Sequence, residues 1–155
     1  MVKIEIIAVG KDKDRWVSEG AAHFEKLLGK FARIEWITIT AEKGKSLSPA
    51  QIKKAEAARL LGKIDKGLII ALHDRGTKLD SMQLAAKLER WLGQCNGRIV
   101  FVIGGAFGLD ETVLNRADMM LSLSRLTFSH QVVRIVLMEQ LYRAFSILYG
   151  SDYHK

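Results

Sequence analysis

The order of apolar and polar positions along the chain predicts short strands that alternate with helices. Apolar runs rich in β-branched residues and bounded by glycine or polar residues are typical of buried strands. Such runs occupy residues 4–9, 34–39, 67–72, 98–103 and 119–123. Segments with apolar residues at helical spacing separate them, and we expect helices over residues 12–28, 49–61, 80–92, 110–117 and 130–149. This alternation predicts an α/β fold, with a mostly parallel sheet and helices on both faces.

Local signals support two of the helix assignments. Ser48, Pro49 and Gln51 have the order of a capping box with proline at the first helical position. In the first helix, Trp16 and Phe24 recur at helical spacing, so the pattern predicts an apolar face that includes both. Each helix is therefore expected to cover part of the sheet.

Composition and charge exclude several classes of protein. The chain has 155 residues, 48% of them hydrophobic and 26% charged, which favours a single folded domain over residues 1–155 and excludes a disordered chain. The only cysteine, Cys95, excludes an internal disulfide. No apolar run reaches the ~18 residues of a membrane span, and the first residues do not form a signal peptide, so we expect a cytoplasmic protein. The formal net charge of +7 is compatible with a nucleic-acid partner but does not require one.

Two segments at predicted strand ends are candidates for ligand binding. Ligands of open parallel sheets collect at the carboxyl ends of the strands. Residues 104–108, Gly-Gly-Ala-Phe-Gly, follow the fourth strand but match neither the dinucleotide fingerprint nor a P-loop, and a simple tight turn is equally compatible with them. Residues 122–130 follow the fifth strand and offer backbone groups to a planar heterocycle. The alternative is a connecting loop in which Ser129 caps the last helix.

The histidines give no metal-binding pattern. His23, His73, His130 and His154 lack the spacing of metal ligands, so we expect no metal. His73 with Asp74 could form an acid–base pair, although polar residues are ordinary in such a loop. The C-terminal residues 149–155 have a composition suited to RNA contacts, yet composition alone favours a frayed tail.

Four segments together resemble one known family. They are the opening residues 7–11, the glycine segment 103–109, the segment 123–131, and the C-terminal residues 141–145 with 153–155. In this order and at these distances they resemble the ribosomal RNA large subunit methyltransferase H family (RlmH), a minimal branch of the SPOUT or trefoil-knot methyltransferases. The resemblance extends over the full length of the chain.

The resemblance implies a fold and a reaction that the pattern alone does not show. The C-terminal part would form a deep trefoil knot, and S-adenosylmethionine would bind in it without a metal. The protein would be a homodimer with its last helix at the interface. It would methylate N3 of a pseudouridine in 23S ribosomal RNA, in an intersubunit stem-loop, on the assembled ribosome. The implied cofactor-binding residues are Leu72, Gly104, Gly105, Leu123, Ser124, Arg125, Leu126, Thr127 and Phe128.

Catalytic candidates lie in or beside the last helix and the tail. Arg143 could hold phosphate or stabilise an imide anion, and Tyr153 could stack on the base or hydrogen-bond to it. His154 could contact RNA or relay a proton, and His130 could orient the loop or act near the base. Because the tail extends beyond its own domain, we expect the partner chain to complete the site. Two other functions remain open at this point: a nucleotide-cofactor oxidoreductase and a non-catalytic basic protein that binds the ribosome or RNA.

Overall fold

The computed structural model describes all residues from Met1 to Lys155 and shows a parallel sheet between two layers of helices. The strands are β1 (Val2–Val9), β2 (Ala32–Ile39), β3 (Leu68–Lys78), β4 (Arg98–Ile103) and β5 (Met119–Ser122). The helices are α1 (Arg15–Leu28), α2 (Pro49–Leu61), α3 (Ser81–Gln94), α4 (Glu111–Arg116) and α5 (Val132–Leu148). The strands pair in parallel in the order β2-β1-β4-β3-β5. The predicted α/β fold is confirmed, whereas the trefoil knot stays a prediction because strand order does not describe how the chain is threaded.

Alternation along the strands divides the core into two layers. On one face of the sheet, Ile4 and Ile6 of β1 pack with buried residues of α1, α3 and α5. On the other face, Ile7 and Val9 pack with buried residues of α2 and α4. Both faces of β1 are therefore covered, which is why its sequence is almost continuously apolar.

Helix α2 begins as its sequence predicts. The Ser48 side chain accepts a hydrogen bond from the backbone N–H of Gln51, and the Gln51 side chain accepts one from the backbone N–H of Ser48. The capping box is confirmed. Helix α3 begins with the same arrangement between Asp80 and Gln83, which the sequence analysis did not identify.

Two details differ from the predictions. Trp16 is 53% exposed, because the buried face of α1 is formed by Val17, Ala21 and Leu28. Strand β3 does not end at Leu72 but continues to Lys78 across an irregularity in its pairing with β5. Gly76 lies in that continuation, and a Cβ there would come within 2.8 Å of backbone atoms of β5, so glycine permits the close approach.

The last helix also begins later than predicted. Val132 is its first residue, and residue 131 precedes it as the N-cap. Ser129 still contributes to the start of the helix, because its Oγ accepts a hydrogen bond from the backbone N–H of Val132 at 3.1 Å. None of the helices has the length and hydropathy that crossing a bilayer would require.

An ion-pair network lies where β1 and β4 begin, at the amino-terminal ends of the parallel strands. Glu5 is 1% exposed and lies 2.6 Å from Lys3 Nζ and 2.6 Å from Arg98 Nη2. Burial by itself would raise the pKa of the Glu5 carboxyl, but the hydrogen bonds and charges of Lys3 and Arg98 outweigh it, and the pKa lies below its ordinary value. Glu5 therefore stabilises the fold as a carboxylate.

We expect replacement of Glu5 by glutamine to lower stability at neutral pH. The change removes the buried carboxylate from Lys3 and Arg98, which keep only their more exposed partners Glu35 and Asp65, at a cost of about 1–3 kcal/mol. A group with a depressed pKa in the folded state stabilises the fold above its unfolded pKa and loses that contribution as the pH falls. The difference in unfolding free energy between wild type and Glu5→Gln should therefore shrink as the pH is lowered from 7 towards 3. A difference that stays constant over this range would contradict the assignment.

Candidate functional site

A cavity of about 580 Å³ opens at the carboxyl ends of three adjacent strands, β4, β3 and β5. Its volume is within the range of about 300–1,000 Å³ that is usual for small-molecule sites. The walls come from residues 72–74 of β3, which precede its extension to Lys78, from the turn after β4 and from the long loop after β5. The lining residues are Leu72, His73, Asp74, Ile103, Gly104, Gly105, Ala106, Phe107, Gly108, Leu121, Ser122, Leu123, Ser124, Leu126, Thr127, Phe128, Ser129, His130 and Val133.

The glycine turn after β4 forms one wall and requires its glycines. The Gly108 N–H donates to the Gly105 carbonyl at 3.0 Å, and Gly108 has a φ of +85°, in the left-handed region. A Cβ on Gly104 would lie 2.7 Å from the Gly108 carbonyl carbon, so the chain folds back against this residue. The turn therefore places backbone directly at the cavity wall.

A buried carboxylate supports this turn from outside the cavity. Glu56 is 3% exposed, and its Oε2 accepts a hydrogen bond from the Glu42 backbone N–H at 3.1 Å. A Cβ on Gly105 would lie 3.1 Å from Glu56 Oε1, which has no hydrogen-bond partner. Burial raises the pKa of the Glu56 carboxyl. Gly105 thus leaves room for a carboxyl group that a larger residue would displace.

The loop after β5 forms the opposite wall and is shaped by its serines. Ser122 Oγ donates to the Ser124 carbonyl at 2.8 Å, and Ser124 Oγ accepts from the Leu126 backbone N–H at 2.9 Å. Thr127 and Phe128, which also line the cavity, have backbone N–H groups with no partner within the chain. Free backbone donors beside apolar side chains suit a planar heterocycle with hydrogen-bonding edges.

Two histidines face this cavity. His130 lies where the loop joins α5, and burial, together with the nearby charges of Lys13 and Arg134, lowers the pKa of its imidazole. His73 Nδ1 accepts the backbone N–H of Arg75 at 3.1 Å. His73 also lies 3.0 Å from an Asp74 carboxylate oxygen, but that carboxylate is mostly exposed.

A fully buried arginine fixes the loop at the end of β1 against the start of α5. Arg134 donates from Nη2 to the carbonyls of Val9 and Gly10 and from Nη1 to the Asp12 carboxylate, at 2.8–2.9 Å. Its Nε donates to the His130 carbonyl at 3.2 Å. Arg134 therefore connects a lining residue of the cavity, His130, to the end of β1.

A second polar cluster lies further along α5 and involves the C-terminal tail. Glu139 Oε1 accepts hydrogen bonds from Arg143 Nε and from the Tyr153 hydroxyl, both at 3.0 Å. The Arg143 guanidinium also lies over the Tyr153 ring at 4.7 Å, and its Nη1 is 3.3 Å from His154 Nδ1. The frayed tail favoured by composition alone is wrong, because α5 presents both an ion pair and the Tyr142 ring to Tyr153.

Protonation states in this tail cluster follow from its contacts. Burial, the hydrogen bond to Glu139 and the charge of that carboxylate raise the pKa of the Tyr153 phenol, so it stays protonated at neutral pH. An arginine donates and cannot accept, so His154 Nδ1 accepts from Arg143, and a neutral His154 carries its proton on Nε2. The cluster therefore presents hydrogen-bond donors.

The structure thus divides the predicted site residues into two groups. Of the implied cofactor-binding residues, all but Arg125 line the cavity, and Arg125 is exposed on the same loop. His130 joins this group, whereas Arg143, Tyr153 and His154 form the tail cluster. Val133 lines the cavity and Arg143 lies ten residues further along α5, a distance of about 15 Å at the helical rise per residue.

Sequence reasoning missed two residues of these groups. Glu139 organises the tail cluster, and its spacing of four residues from Arg143 on a helix is a signal that would have found it. Arg134 is the other, and its contacts with β1 are more than 120 residues away in sequence, so no local pattern indicates them. No group of three or more His, Cys, Asp or Glu residues is placed to hold a metal ion.

Comparison with known proteins assigns the chain to a family. Residues 2–154 match the family model described as "Predicted SPOUT methyltransferase". The ribosomal RNA large subunit methyltransferase H of Acetivibrio thermocellus is 42% identical over 159 residues, which cover 99% of this chain and 100% of that protein. The protein of the same name from Ruminiclostridium cellulolyticum has the same identity and coverage.

Solved structures share the fold at low identity. A probable methylase family protein from Haemophilus influenzae Rd KW20 superposes with a TM-score of 0.57 and 16% identity, covering 99% of this chain and 70% of that one. The tRNA (m1G37) methyltransferase of Aquifex aeolicus gives a TM-score of 0.55 and 16% identity, covering 91% of this chain and 69% of that one. These likenesses concern the fold alone. The match to the family model and the full-length relatives establish that this chain belongs to the SPOUT methyltransferase family, in the branch of the ribosomal RNA large subunit methyltransferase H proteins.

Proposed function

We propose that this protein transfers a methyl group from S-adenosylmethionine to N3 of a pseudouridine in 23S ribosomal RNA, within the assembled ribosome. The main support for the proposal is the cavity formed by β3, β4 and β5. Its walls include the glycine segment and the loop after β5, which are two of the segments that resemble the family. The name of the full-length relatives supports ribosomal RNA as the substrate. The proposal treats residues 1–155 as one domain and places the protein in the cytoplasm with the ribosomes.

The residues of the cavity fit such a cofactor. Leu72, Gly104, Gly105 and the loop 123–128 would hold it, chiefly through backbone groups such as the free N–H groups of Thr127 and Phe128. S-adenosylmethionine supplies an activated methyl group when it is bound. The protein is then left with two tasks, which are to hold the acceptor nitrogen in line with that methyl group and to remove the proton from the imide.

The tail cluster supplies groups for the second task. Arg143, fixed by Glu139, would stabilise the negative charge that develops on the imide as N3 loses its proton to solvent water. In this arrangement His154, with its proton on Nε2, would donate a hydrogen bond to the base or to phosphate. The Tyr153 hydroxyl already donates to Glu139, so Tyr153 would stack on the base or accept a hydrogen bond from it. His130, at the cavity, would orient the loop beside the reacting groups. Positioning alone contributes up to about 7–11 kcal/mol to such reactions.

The separation of the two groups supports a site shared between two chains. About 15 Å of helix lies between Val133 and Arg143, too far for one acceptor nucleotide to reach both within a single chain. On α5, Val132, Val136, Glu139 and Arg143 follow one another at helical spacing and are only partly buried. A two-fold homodimer that packs this face against its own copy would bring the tail cluster of one chain to the cavity of its partner.

We expect mixed dimers to test the shared site. A chain that lacks residues 151–155 and a chain with Gly104→Ala should each be inactive as homodimers, because the first lacks the tail and the second lacks the cofactor wall. In a mixed dimer, one of the two sites combines an intact cavity with an intact tail, so about half of the activity per dimer should return. Measurement of methyl transfer in purified mixed dimers checks this, and complete inactivity of every mixture would contradict a shared site.

Cofactor affinity is expected to depend on pH through His130. S-adenosylmethionine carries a sulfonium charge, and binding a cation in the same cavity further disfavours protonation of this imidazole. By linkage, affinity should fall by about 2–10-fold as the pH drops from 7.5 to 5.5 in wild type, and less in His130→Gln. Calorimetric titration at both values measures the effect. Equal pH dependence in the two proteins would show that His130 does not contribute.

Methyl transfer to ribosomes tests the function directly. Purified protein, ribosomes that lack this methyl group and labelled S-adenosylmethionine should give one labelled pseudouridine in 23S ribosomal RNA. Arg143→Ala should reduce the rate by at least about 100-fold while cofactor binding is unchanged. Absence of cofactor binding would favour a non-catalytic ribosome-binding protein, and binding of NAD instead would favour an oxidoreductase.

A further inference from the structure

The edge of the sheet that carries the cavity also carries a group of lysines that the proposed reaction does not use. They lie on the segments after β1 and β2 and in the first turns of α2. We name them the lysine rim; its members are Lys11, Lys13, Lys43, Lys45, Lys53 and Lys54.

Hydrogen bonds attach one part of the rim to the cavity. The Gln131 side chain donates to the Lys11 carbonyl at 3.3 Å and accepts from the Lys13 backbone N–H at 3.4 Å. Gln131 directly follows His130, which lines the cavity. The positive charge of Lys13 also lowers the pKa of the His130 imidazole. This part of the rim therefore begins at the mouth of the cavity.

Further contacts join the second part of the rim to the first. A Cβ on Gly10 would lie 3.9 Å from the Ala41 side chain, so the loops after β1 and β2 are adjacent. The Glu42 backbone N–H is held by Glu56 of α2, which fixes the position of the loop that bears Lys43 and Lys45. The lysines thus follow one continuous edge that leads away from the cavity.

The charge of this edge is largely not neutralised within the fold: the Asp110 carboxylate interacts with Lys53 and Lys54, but it forms no ion pair with them. None of the rim lysines lies within 4.0 Å of a carboxylate, and all but Lys53 are exposed. On the same segments, Asp12 is paired with Arg134 and Glu42 with Arg59, which leaves only Asp14 without a cationic partner. On the opposite edge, Lys3 and Arg98 are paired with acidic residues, whereas Lys26, Lys63 and Lys66 are exposed and unpaired but have no contact with the cavity.

We infer that the lysine rim is a docking surface for the phosphate backbone of structured RNA, which it positions so that the target base enters the cavity. Unpaired, exposed ammonium groups bind phosphates at low desolvation cost and release counterions when they do so. The positive ends of α1 and α2 lie on the same edge and add to the potential. The inference rests on the proposed function, because it takes ribosomal RNA as the substrate.

Charge-matched variants test the inference. The rim variant Lys11→Gln, Lys43→Gln, Lys45→Gln is compared with the control variant Lys26→Gln, Lys63→Gln, Lys66→Gln. The control lysines are also exposed and unpaired, but lie at the ends of α1 and α2 on the opposite edge. Both variants lose the same charge, and neither changes a cavity or tail-cluster residue.

We expect the rim variant alone to weaken ribosome binding. Its KM for ribosomes should rise at least about tenfold, with kcat and S-adenosylmethionine affinity unchanged, and the slope of log affinity against log salt should fall by up to about three. The control variant should stay within about twofold of wild type. The same shift should appear when binding to deproteinised ribosomal RNA is measured.

Equal ribosome affinity of the rim and control variants would overturn the inference. An effect of the rim variant on ribosomes that is absent with deproteinised RNA would also overturn it, because the rim would then bind an acidic ribosomal protein instead of RNA. Binding is measured without methyl transfer, so the two proposals fail separately. If wild type binds RNA through the rim but methylates nothing, the proposed function fails and the docking surface stands. If wild type methylates ribosomes and the rim variant is unaffected, the docking surface fails and the function stands.

Discussion

Replacement of Gly104 by alanine is expected to reduce S-adenosylmethionine affinity by at least about 100-fold, because displacement of a binding wall by about 1 Å has effects of this size. The added Cβ would lie 2.7 Å from the Gly108 carbonyl carbon and 2.9 Å from its oxygen. Both atoms belong to backbone, which cannot rotate away as a side chain can, so the glycine turn must move. Calorimetric titration with the cofactor measures the loss.

Gly93→Ala provides the matched control. Gly93 lies within α3, away from the cavity, and a Cβ there meets nothing within 4 Å. The same chemical change should therefore leave cofactor affinity unaltered and stabilise the helix by roughly 0.5–1 kcal/mol. If Gly104→Ala bound the cofactor as tightly as Gly93→Ala while both were folded, the glycine turn would not be part of the binding site.

Replacement of Arg134 by alanine is expected to have the largest effect on stability. The substitution removes hydrogen bonds to four acceptors. The buried Val9 carbonyl loses the hydrogen bond from Arg134, and the Asp12 carboxylate loses its cationic partner. The Asp12 carboxylate is partly exposed, so most of the cost, about 3–5 kcal/mol, comes from the lost charge-assisted hydrogen bonds to the Val9 and Gly10 carbonyls. The unfolding free energy from chemical denaturation should fall by this amount.

Two further variants separate the causes of that loss. Arg90 is exposed on α3, so Arg90→Ala should change stability by no more than about 0.5 kcal/mol. Arg134→Lys keeps the charge but cannot reach the acceptors that the planar guanidinium spans, so it should restore only part of the stability. A stability loss in Arg134→Ala as small as that in Arg90→Ala would contradict the role of this network.

Much of the fold could be predicted because its signals are local. The apolar runs of β1 and β4 and the capping box at Ser48 are legible in a few adjacent residues. The errors arose where distant contacts decide the outcome. Trp16 has the right spacing for a buried face, but the orientation of α1 against α5 buries Val17 instead. The extension of β3 past Leu72 depends on pairing with β5, whose paired residues are more than 40 positions away in the sequence.

The candidate site could be predicted only in part, for the same reason. Its cavity walls follow strand ends, and strand ends can be located from the sequence. The resemblance to the family supplied the residues of the loop 123–128, which no spacing rule identifies. The contacts of Tyr153 with Glu139 and Tyr142 required the path of the tail, which its polar composition does not indicate. The network of Arg134 required the approach of α5 to the end of β1.

The central claim is that backbone groups of the glycine turn and of the loop 123–128 bind the methyl donor. A crystal structure of the protein grown with S-adenosylmethionine tests this most directly. We expect the donor in the cavity between Gly104 and Phe128, with hydrogen bonds to backbone atoms of both walls. A donor bound elsewhere on the molecule, with these walls closed against each other, would contradict the account.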